Sequence, residues 1–198
     1  VGLTTAGFSV FDAVVLQPVA SPRADELVTM YQDFQGVKKR RVYGARRMFS
    51  VPEYHAYRDA TRTLSGLAAF TRSWTVTLGS DSPREIGGAL VSCNYFDVLR
   101  IVPALGPGLT AANCEAPDAP PAVVVSHSLW TTAFGGDRSI VGQSIALNGR
   151  AVTVAGVAPE GFGGIDVEQV SFFVPLSMQE VLQPGERDYL DPHTSWLT

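Results

Sequence analysis

Cysteine, charge and long apolar runs are all scarce in this chain, and each scarcity removes a class of protein. Two cysteines, Cys93 and Cys114, are too few for a disulfide scaffold or a cysteine metal site. They either form one bond in an oxidising compartment or remain two thiols. Charged residues make up 17% of the chain and the net charge is −4, so nothing supplies the basic field that nucleic-acid binding rests on. No run reaches the ~18 consecutive apolar residues of a complete membrane helix. There is no Gly-x-x-x-x-Gly-Lys-Ser/Thr loop, no Gly-x-Ser-x-Gly elbow and no His-Glu-x-x-His pair. What is plentiful is apolar residues (45%), with 13 prolines and 19 glycines among 198 residues. That composition predicts many short elements and turns around one good core or two small ones. No internal repeat or low-complexity tract is present.

The stretch from Ala122 to Gly164 organises the rest. Val123-Val124-Val125 is a β-branched run that reads as a buried strand. Ser126 supplies an N-cap oxygen, Leu129, Trp130, Ala133 and Phe134 share one side of a short helix, and Gly135-Gly136 stops it. Asn148-Gly149 then joins two strands, because a type I′ turn needs positive φ at both central positions. Pairing across that turn sets Ile145 opposite Val152 and Gln143 opposite Val154, with Leu147 on the same apolar face. Ser144, Ala146, Ala151 and Thr153 fall on the other.

Upstream, residues 1–22 carry one charge, Asp12, with no basic n-region of a signal peptide. They read either as a buried helix or as the outer end of a membrane helix, ended by Pro18 and Pro22. Glu26 to Tyr31 reads as a strand. The basic run Lys38, Lys39, Arg40, Arg41, Arg46, Arg47 reads as a solvated loop, with acidic headgroups or an acidic partner as the alternative. Ser50-Val51-Pro52-Glu53 is a capping box opening a helix whose face is Tyr54, Tyr57, Thr61, Leu64 and Ala68, weakening at Gly66. Trp74–Leu78 and Ile86–Val91 read as strands, the second weakened by Gly87-Gly88, and Asn94 can cap a short helix over Tyr95–Leu99. Residues 103–121 hold five prolines and little periodicity, as a connecting segment does. Ser171–Pro175 is a closing strand, and the tail from Gln183 is polar.

Reactive constellations are weighed residue by residue. Gly106-Pro107-Gly108-Leu109-Thr110-Ala111 formally fits a dinucleotide fingerprint, but Pro103 interrupts the strand that motif requires and Pro107 removes a donor. A hydrolase would need Ser126 or Ser128 with His55, His127 or His193, and side chains at 126 and 127 diverge. His55 and Asp59 sit at i and i+4, two ligands without a third. Asp166 and Glu168 read as a solvated pair rather than acid–base partners. The residues therefore point to no catalytic centre, no metal and no cofactor, and favour binding, scaffolding or force transmission.

Several blocks, in order along nearly the whole chain, resemble the extracytoplasmic core domain of MacB-like ABC transporter permeases, the duplicated-core bacterial subgroup most of all. They are Gly7–Pro18, Phe49–Tyr54 with Leu64–Phe70, and Asn94–Leu99 with Pro103–Gly106. Downstream follow Ser126–Trp130, Phe134–Asp137, Val141-Gly142, Leu147–Gly149 and Val157–Phe162. The motif positions are Ser50, Glu53, Tyr54, Asn94, Tyr95, Phe96, Trp130, Phe134, Gly135, Gly136, Gly142, Asn148, Gly149, Pro159 and Phe162. Pro107 and Cys93 depart from the pattern, where arginine and a small residue are usual.

The resemblance implies an α+β domain of two lobes, with mixed small sheets and short helices, one lobe inserted into the other. Residues 1–17 would be the outer end of a membrane helix and 18–104 the first part of a membrane-proximal β-α-β lobe. Residues 105–180 would form the inserted distal lobe, and 181–198 a return toward the first. It implies a place on the periplasmic side of the inner membrane, in a transporter for export or efflux. The partners implied are an ABC ATPase subunit or domain, a second permease core or homodimer, and a periplasmic adaptor. The chain would then be a lever and docking surface, not an enzyme, with residues 103–121 as a compliant joint. A free-standing periplasmic ligand-binding module is the rival reading, suggested by Trp74, Tyr95 and Trp130; a hydrolase with an unfamiliar site is the third.

Overall fold

The computed structural model describes residues 21–30, 49–71, 74–80, 82–114, 119–166, 169–185 and Leu197. The expected membrane-helix end at 1–17, the basic run at 38–47, Glu168, His193 and most of the tail lie outside them. Helix α1 spans Val51–Ala60, α2 Tyr95–Val98, α3 Ala111–Cys114, α4 His127–Phe134 and α5 Gln179–Leu182. The strands are β1 Trp74–Leu78, β2 Arg84–Val91, β3 Ala122–Val125, β4 Ser144–Leu147, β5 Arg150–Val157 and β6 Phe172–Pro175. The mixed α+β content agrees with the sequence.

The six strands close into one barrel in the order β1-β2-β6-β3-β5-β4. β2–β6 and β3–β5 are parallel and the other pairs antiparallel, with Leu78 against Leu147 closing the ring. This corrects the expectation of several small sheets in two lobes: β1 and β2 precede residue 104, yet they share one sheet with the four strands that follow. The reason is the parallel pairing of β2 with β6, a contact between distant segments that no local pattern encodes. For the same cause Phe172–Pro175 is no closing edge but a strand between β2 and β3.

β3 and β6 are buried along their whole length, which is why they read as unbroken apolar runs. Alternation splits their side chains between two cores. Leu90, Val123, Val125, Phe172 and Val174 join an aliphatic core with Leu147, Val152 and Val154. Ala89, Val91, Val124 and Phe173 face an aromatic one with Tyr95, Phe96 and Phe162. Gly88 is not a weak point. A Cβ there would sit 2.1 Å from the Phe172 ring, so the missing side chain is what lets that ring lie in the core.

The Ala122–Gly164 stretch follows its local signals closely. Ser126 Oγ accepts from the Leu129 N–H (3.1 Å), and Gly135 ends α4 in the left-handed region. Asn148 and Gly149 have φ of 46° and 72°, and the ladder pairs Ile145 with Val152, Ser144 with Thr153 and Ala146 with Ala151. The Val154 N–H donates to the Gln143 carbonyl, completing the expected register.

Elsewhere two expectations fail. Glu26–Tyr31 is no strand over its described part: Ala24–Glu26 is a 3₁₀ turn and residues 27–30 join no ladder. A strand exists only as part of a pair, and no described segment pairs with this one. The helix opened by Ser50 stops at Ala60. Thr61 is extended (ψ 140°), and Leu64 and Ala68 belong to an irregular strap that runs back to the barrel.

Candidate functional site

The features that set this domain's working parts are a polar staple, a disulfide, a docked loop and an apolar groove. The staple begins at the capping box. Ser50 Oγ accepts from the Glu53 N–H (3.3 Å) while Glu53 Oε2 accepts from the Ser50 N–H (2.8 Å), and both residues fix the start of α1. One turn on, the buried Tyr54 hydroxyl lies 3.3 Å from both the Leu67 carbonyl oxygen and Asn94 Oδ1. Asn94 Nδ2 donates to the same Leu67 oxygen (2.9 Å), and the Ser92 hydroxyl donates to Asn94 Oδ1 (2.9 Å). Ser92 and Ala69 then exchange two further bonds, and Thr71 does the same with Leu90 through its N–H and Oγ1.

Asn94 is thus not the side-chain cap that its position before α2 suggests; it makes no cap bond at all. Its amide instead joins the 61–71 strap and α1 to the end of β2. A buried network with its members satisfied holds one geometry and makes the alternative of unmade bonds costly. Ser92 and Thr71 were not singled out by the sequence, because a small hydroxyl at a strand end has no distinguishing local pattern.

The aromatic core lies against the other side of α2. Phe173 contacts Phe96 (5.3 Å between ring centroids), Phe162 (5.5 Å) and Tyr95 (6.0 Å), and Phe70 closes on Tyr95 (5.9 Å). Burial pushes the Tyr95 phenol well above its ordinary range; a bond with the Ile165 backbone opposes that shift and the Asp166 charge adds to it. Pro159 sits in the turn that delivers Phe162, whose N–H returns to the Pro159 carbonyl (3.1 Å).

The other motif residues serve the barrel rim. Trp130 Nε1 donates to the Asp137 carbonyl (2.8 Å), tying α4 to the 3₁₀ turn at Arg138–Ile140, and Phe134 packs on the aliphatic core. Gly136 and Gly142 take positive φ, and the Gly142 N–H bonds Val154. The Asn148 side chain reaches past its own turn: Oδ1 accepts from the Thr77 N–H (2.7 Å) and Nδ2 donates to the Leu182 carbonyl (3.0 Å). One turn residue therefore fastens β1, the hairpin and α5 where the barrel closes.

Cys93 and Cys114 are joined in a disulfide, Cα to Cα 5.6 Å, linking the start of α2 to α3. The glycines of the apparent dinucleotide fingerprint serve backbone packing. Leu105 bridges Val157, and the Gly108 N–H reaches the Ala155 carbonyl. A Cβ on Gly106 would lie 2.5 Å from the Ala155 oxygen and one on Gly156 2.8 Å from the Leu105 oxygen. The loop that looks like a phosphate cradle is pressed against β5. Residues 104–108 of the segment read as a compliant joint are stitched down.

Among the described residues no bond joins Ser126 or Ser128 to His55 or His127. Ser126 is buried in its capping role, His127 packs edge-on against Trp130, and His55 lies against Tyr54. Asp59 Oδ1 accepts from Arg58 Nε (3.0 Å). Asp166 lies near Tyr95, and Glu168 is outside the described residues.

The cavity of about 400 Å³ is a groove beside α1 and α2, walled by residues 26–30 on one side and the 63–70 strap on the other. Phe49 pairs with Leu197 in an antiparallel bridge and both line it.

Among the described residues no helix is long and apolar enough to cross a membrane. No curated protein matches the sequence. The solved extracellular domain of the noncanonic ABC-type transporter YknZ from Gram-positive bacteria shares the fold, with a TM-score of 0.54 at 18% identity over 68% of this chain. The periplasmic region of MacB from Actinobacillus actinomycetemcomitans does so as well, with a TM-score of 0.54 at 16% identity over 71%. The match covers 66% and 62% of those two chains. The family model described as the MacB-like periplasmic core domain matches residues 1–194. A match over that span, on a fold shared with solved transporter domains, places this chain in the MacB-like periplasmic core domain family.

Proposed function

We propose that the domain is the extracytoplasmic lever of an ABC transporter permease, moved by an ATPase on a separate domain or subunit and used for export or efflux. The observation that carries this is the Tyr54–Asn94–Ser92 staple, which joins the α1 layer to the barrel through half-buried side-chain hydrogen bonds. A lever requires bodies that do not shear internally, with motion confined to few joints.

In this reading residues 1–17 end a membrane helix of the inner membrane. The layer of residues 21–30 and 49–70 with Leu197 faces the membrane and the barrel stands away from it. We set the division there rather than at 104/105, because β1 and β2 are barrel strands. A second permease core, or a second copy, and a periplasmic adaptor are the partners the reading supplies. The solved relatives support the fold of such a domain and nothing finer.

The test is a distance. Spin labels at Tyr57 on α1 and Arg150 at the barrel hairpin, both exposed, are placed in the intact transporter. Their separation is expected to stay fixed between the nucleotide-free and vanadate-trapped states, while each moves relative to a label in the membrane. A separation that changes with nucleotide overturns the rigid lever.

A further inference from the structure

The Cys93–Cys114 disulfide has no part in the lever reading. It runs from Cys93, set between the staple residues Ser92 and Asn94, to Cys114 at the end of α3. α3 is four residues long and buries none of them, and Ala111 and Ala112 are exposed. Its hydrogen bonds close on its own segment. The Asn113 N–H donates to the Thr110 carbonyl (3.0 Å), the Thr110 N–H to Asn113 Oδ1 (2.7 Å), and Asn113 Nδ2 to the Gly108 carbonyl (3.3 Å). A single helical turn does not persist in water by itself, because fixing it costs more entropy than its first bond returns.

Among the described residues, the ties of this turn to the rest of the domain are an apolar side chain, one weak hydrogen bond and the disulfide. Leu109, just before the turn, packs half-buried on the aromatic core. The Ser177 hydroxyl donates to the Cys114 carbonyl at 3.4 Å, exposed and near the limit of a hydrogen bond. The Cys93 sulfur lies 3.3 Å from the Thr110 carbonyl oxygen, but in the bonded state it carries no proton to donate. The chain on either side is held without sulfur. The Ala104 N–H reaches the Val157 carbonyl (2.8 Å) and the Gly108 N–H the Ala155 carbonyl (3.1 Å), while Ser92 is bonded to Ala69 through both backbone and side chain.

We propose that Cys93–Cys114 is a redox latch for residues 109–114. Oxidised, it fixes α3 to the end of β2. Reduced, it lets α3 melt and Leu109 leave the aromatic core, while the barrel and the docked loop 104–108 stay folded. The reductant is a dithiol. Its thiolate attacks one sulfur, breaking the S–S bond and forming a mixed disulfide, and its second thiol then displaces the protein sulfur and closes the reagent's own disulfide. The two cysteines thereby gain the two electrons and two protons that the dithiol loses. Both cysteines are only half-buried, which gives a thiolate access without opening the barrel. The proposal rests on the extracytoplasmic reading for an oxidising compartment in which the bond forms. Its failure leaves that reading standing, because the experiment uses isolated protein and measures neither location nor transport.

The experiment is amide hydrogen exchange on the intact oxidised protein, with and without dithiothreitol, and with alkylation at Cys93 and Cys114 followed by peptide mass. Under native conditions the reagent is expected to open both cysteines to alkylation. Exchange at the Thr110 and Asn113 amides should then speed up by about tenfold or more, as local opening does. The amides of Val123–Val125 and Val152–Val157 should stay protected over the same minutes of labelling. Cys114→Ser is expected to show the fast exchange without reagent and no response to it; if that variant misfolds, reduction of the native protein still reads the latch. A bond that survives the reagent is closed to reduction and overturns the proposal. Unchanged exchange at Thr110 and Asn113 with both cysteines alkylated overturns it too, since other contacts then hold α3. So does loss of barrel protection in the same labelling, which makes the bond a staple of the whole domain.

Discussion

The β4–β5 hairpin and the segment 26–31 both read as strands in the sequence, yet among the described residues only the hairpin is a ladder. In the hairpin each strand's partner is delivered by a two-residue turn, so pattern and pairing are encoded together. Residues 27–30 have no such turn to deliver a partner, and they join no ladder among the described residues. The comparison teaches that alternation specifies a face, whereas pairing specifies a strand, and only short turns write the second into local sequence.

The largest expected effect breaks a part of the fold that neither region controls. Phe173→Ala removes the ring on which Phe96, Phe162 and Tyr95 converge and should cost about 3–5 kcal/mol in urea unfolding. Next is the hairpin turn itself. Asn148→Ala loses both the tolerance of positive φ and the bonds to Thr77 and Leu182, for about 2–4 kcal/mol. Asn148→Gly keeps the backbone conformation and should recover part of that loss. Equal values for the two would mean that the turn's conformation contributes nothing and that the tertiary bonds carry the site.

Asn94→Ala tests the staple and should cost about 1–3 kcal/mol. Exchange is expected to speed up in the 61–71 strap while the helix at Tyr95–Val98 is unchanged, since Asn94 makes no cap bond there. Loss of α2 would return Asn94 to the capping role. The smallest effect is at Asp137, whose carboxyl is held below the usual carboxylate range by the Ser139 hydroxyl and N–H. A depressed pKa in the folded state adds stability above the unfolded value of about 3.9 and loses it as pH falls through the folded one. Asp137→Asn should therefore flatten a slight acid-side decline below about pH 4 and leave neutral stability nearly unchanged.

Where the sequence was legible, the deciding contacts lie within a few residues. The capping box at Ser50 and Glu53, the Ser126 cap, the Gly135 stop and the Asn148-Gly149 register are all of that kind. Gly88 was misread, and the packing role of Gly106 and Gly108 was not visible, because the reason is a ring or a backbone brought from far along the chain. Asn94 was misread for the same cause: the position is that of a cap, while its partners come from Leu67, Ser92 and Tyr54.

The sequence by itself determined the order and ends of the hairpin elements, the starts of α1 and α4, the apolar runs of β3 and β6, and the family. Tertiary structure alone decided that β1 and β2 join β3–β6 in one closed barrel, and that α1 is pinned to it through Tyr54 and Asn94. It also decided that Leu27 and Met30 line a groove with α1 and α2. The division follows from range. Caps and two-residue turns bring their own partners, but parallel pairing and buried polar contacts join segments that meet only once the chain has folded.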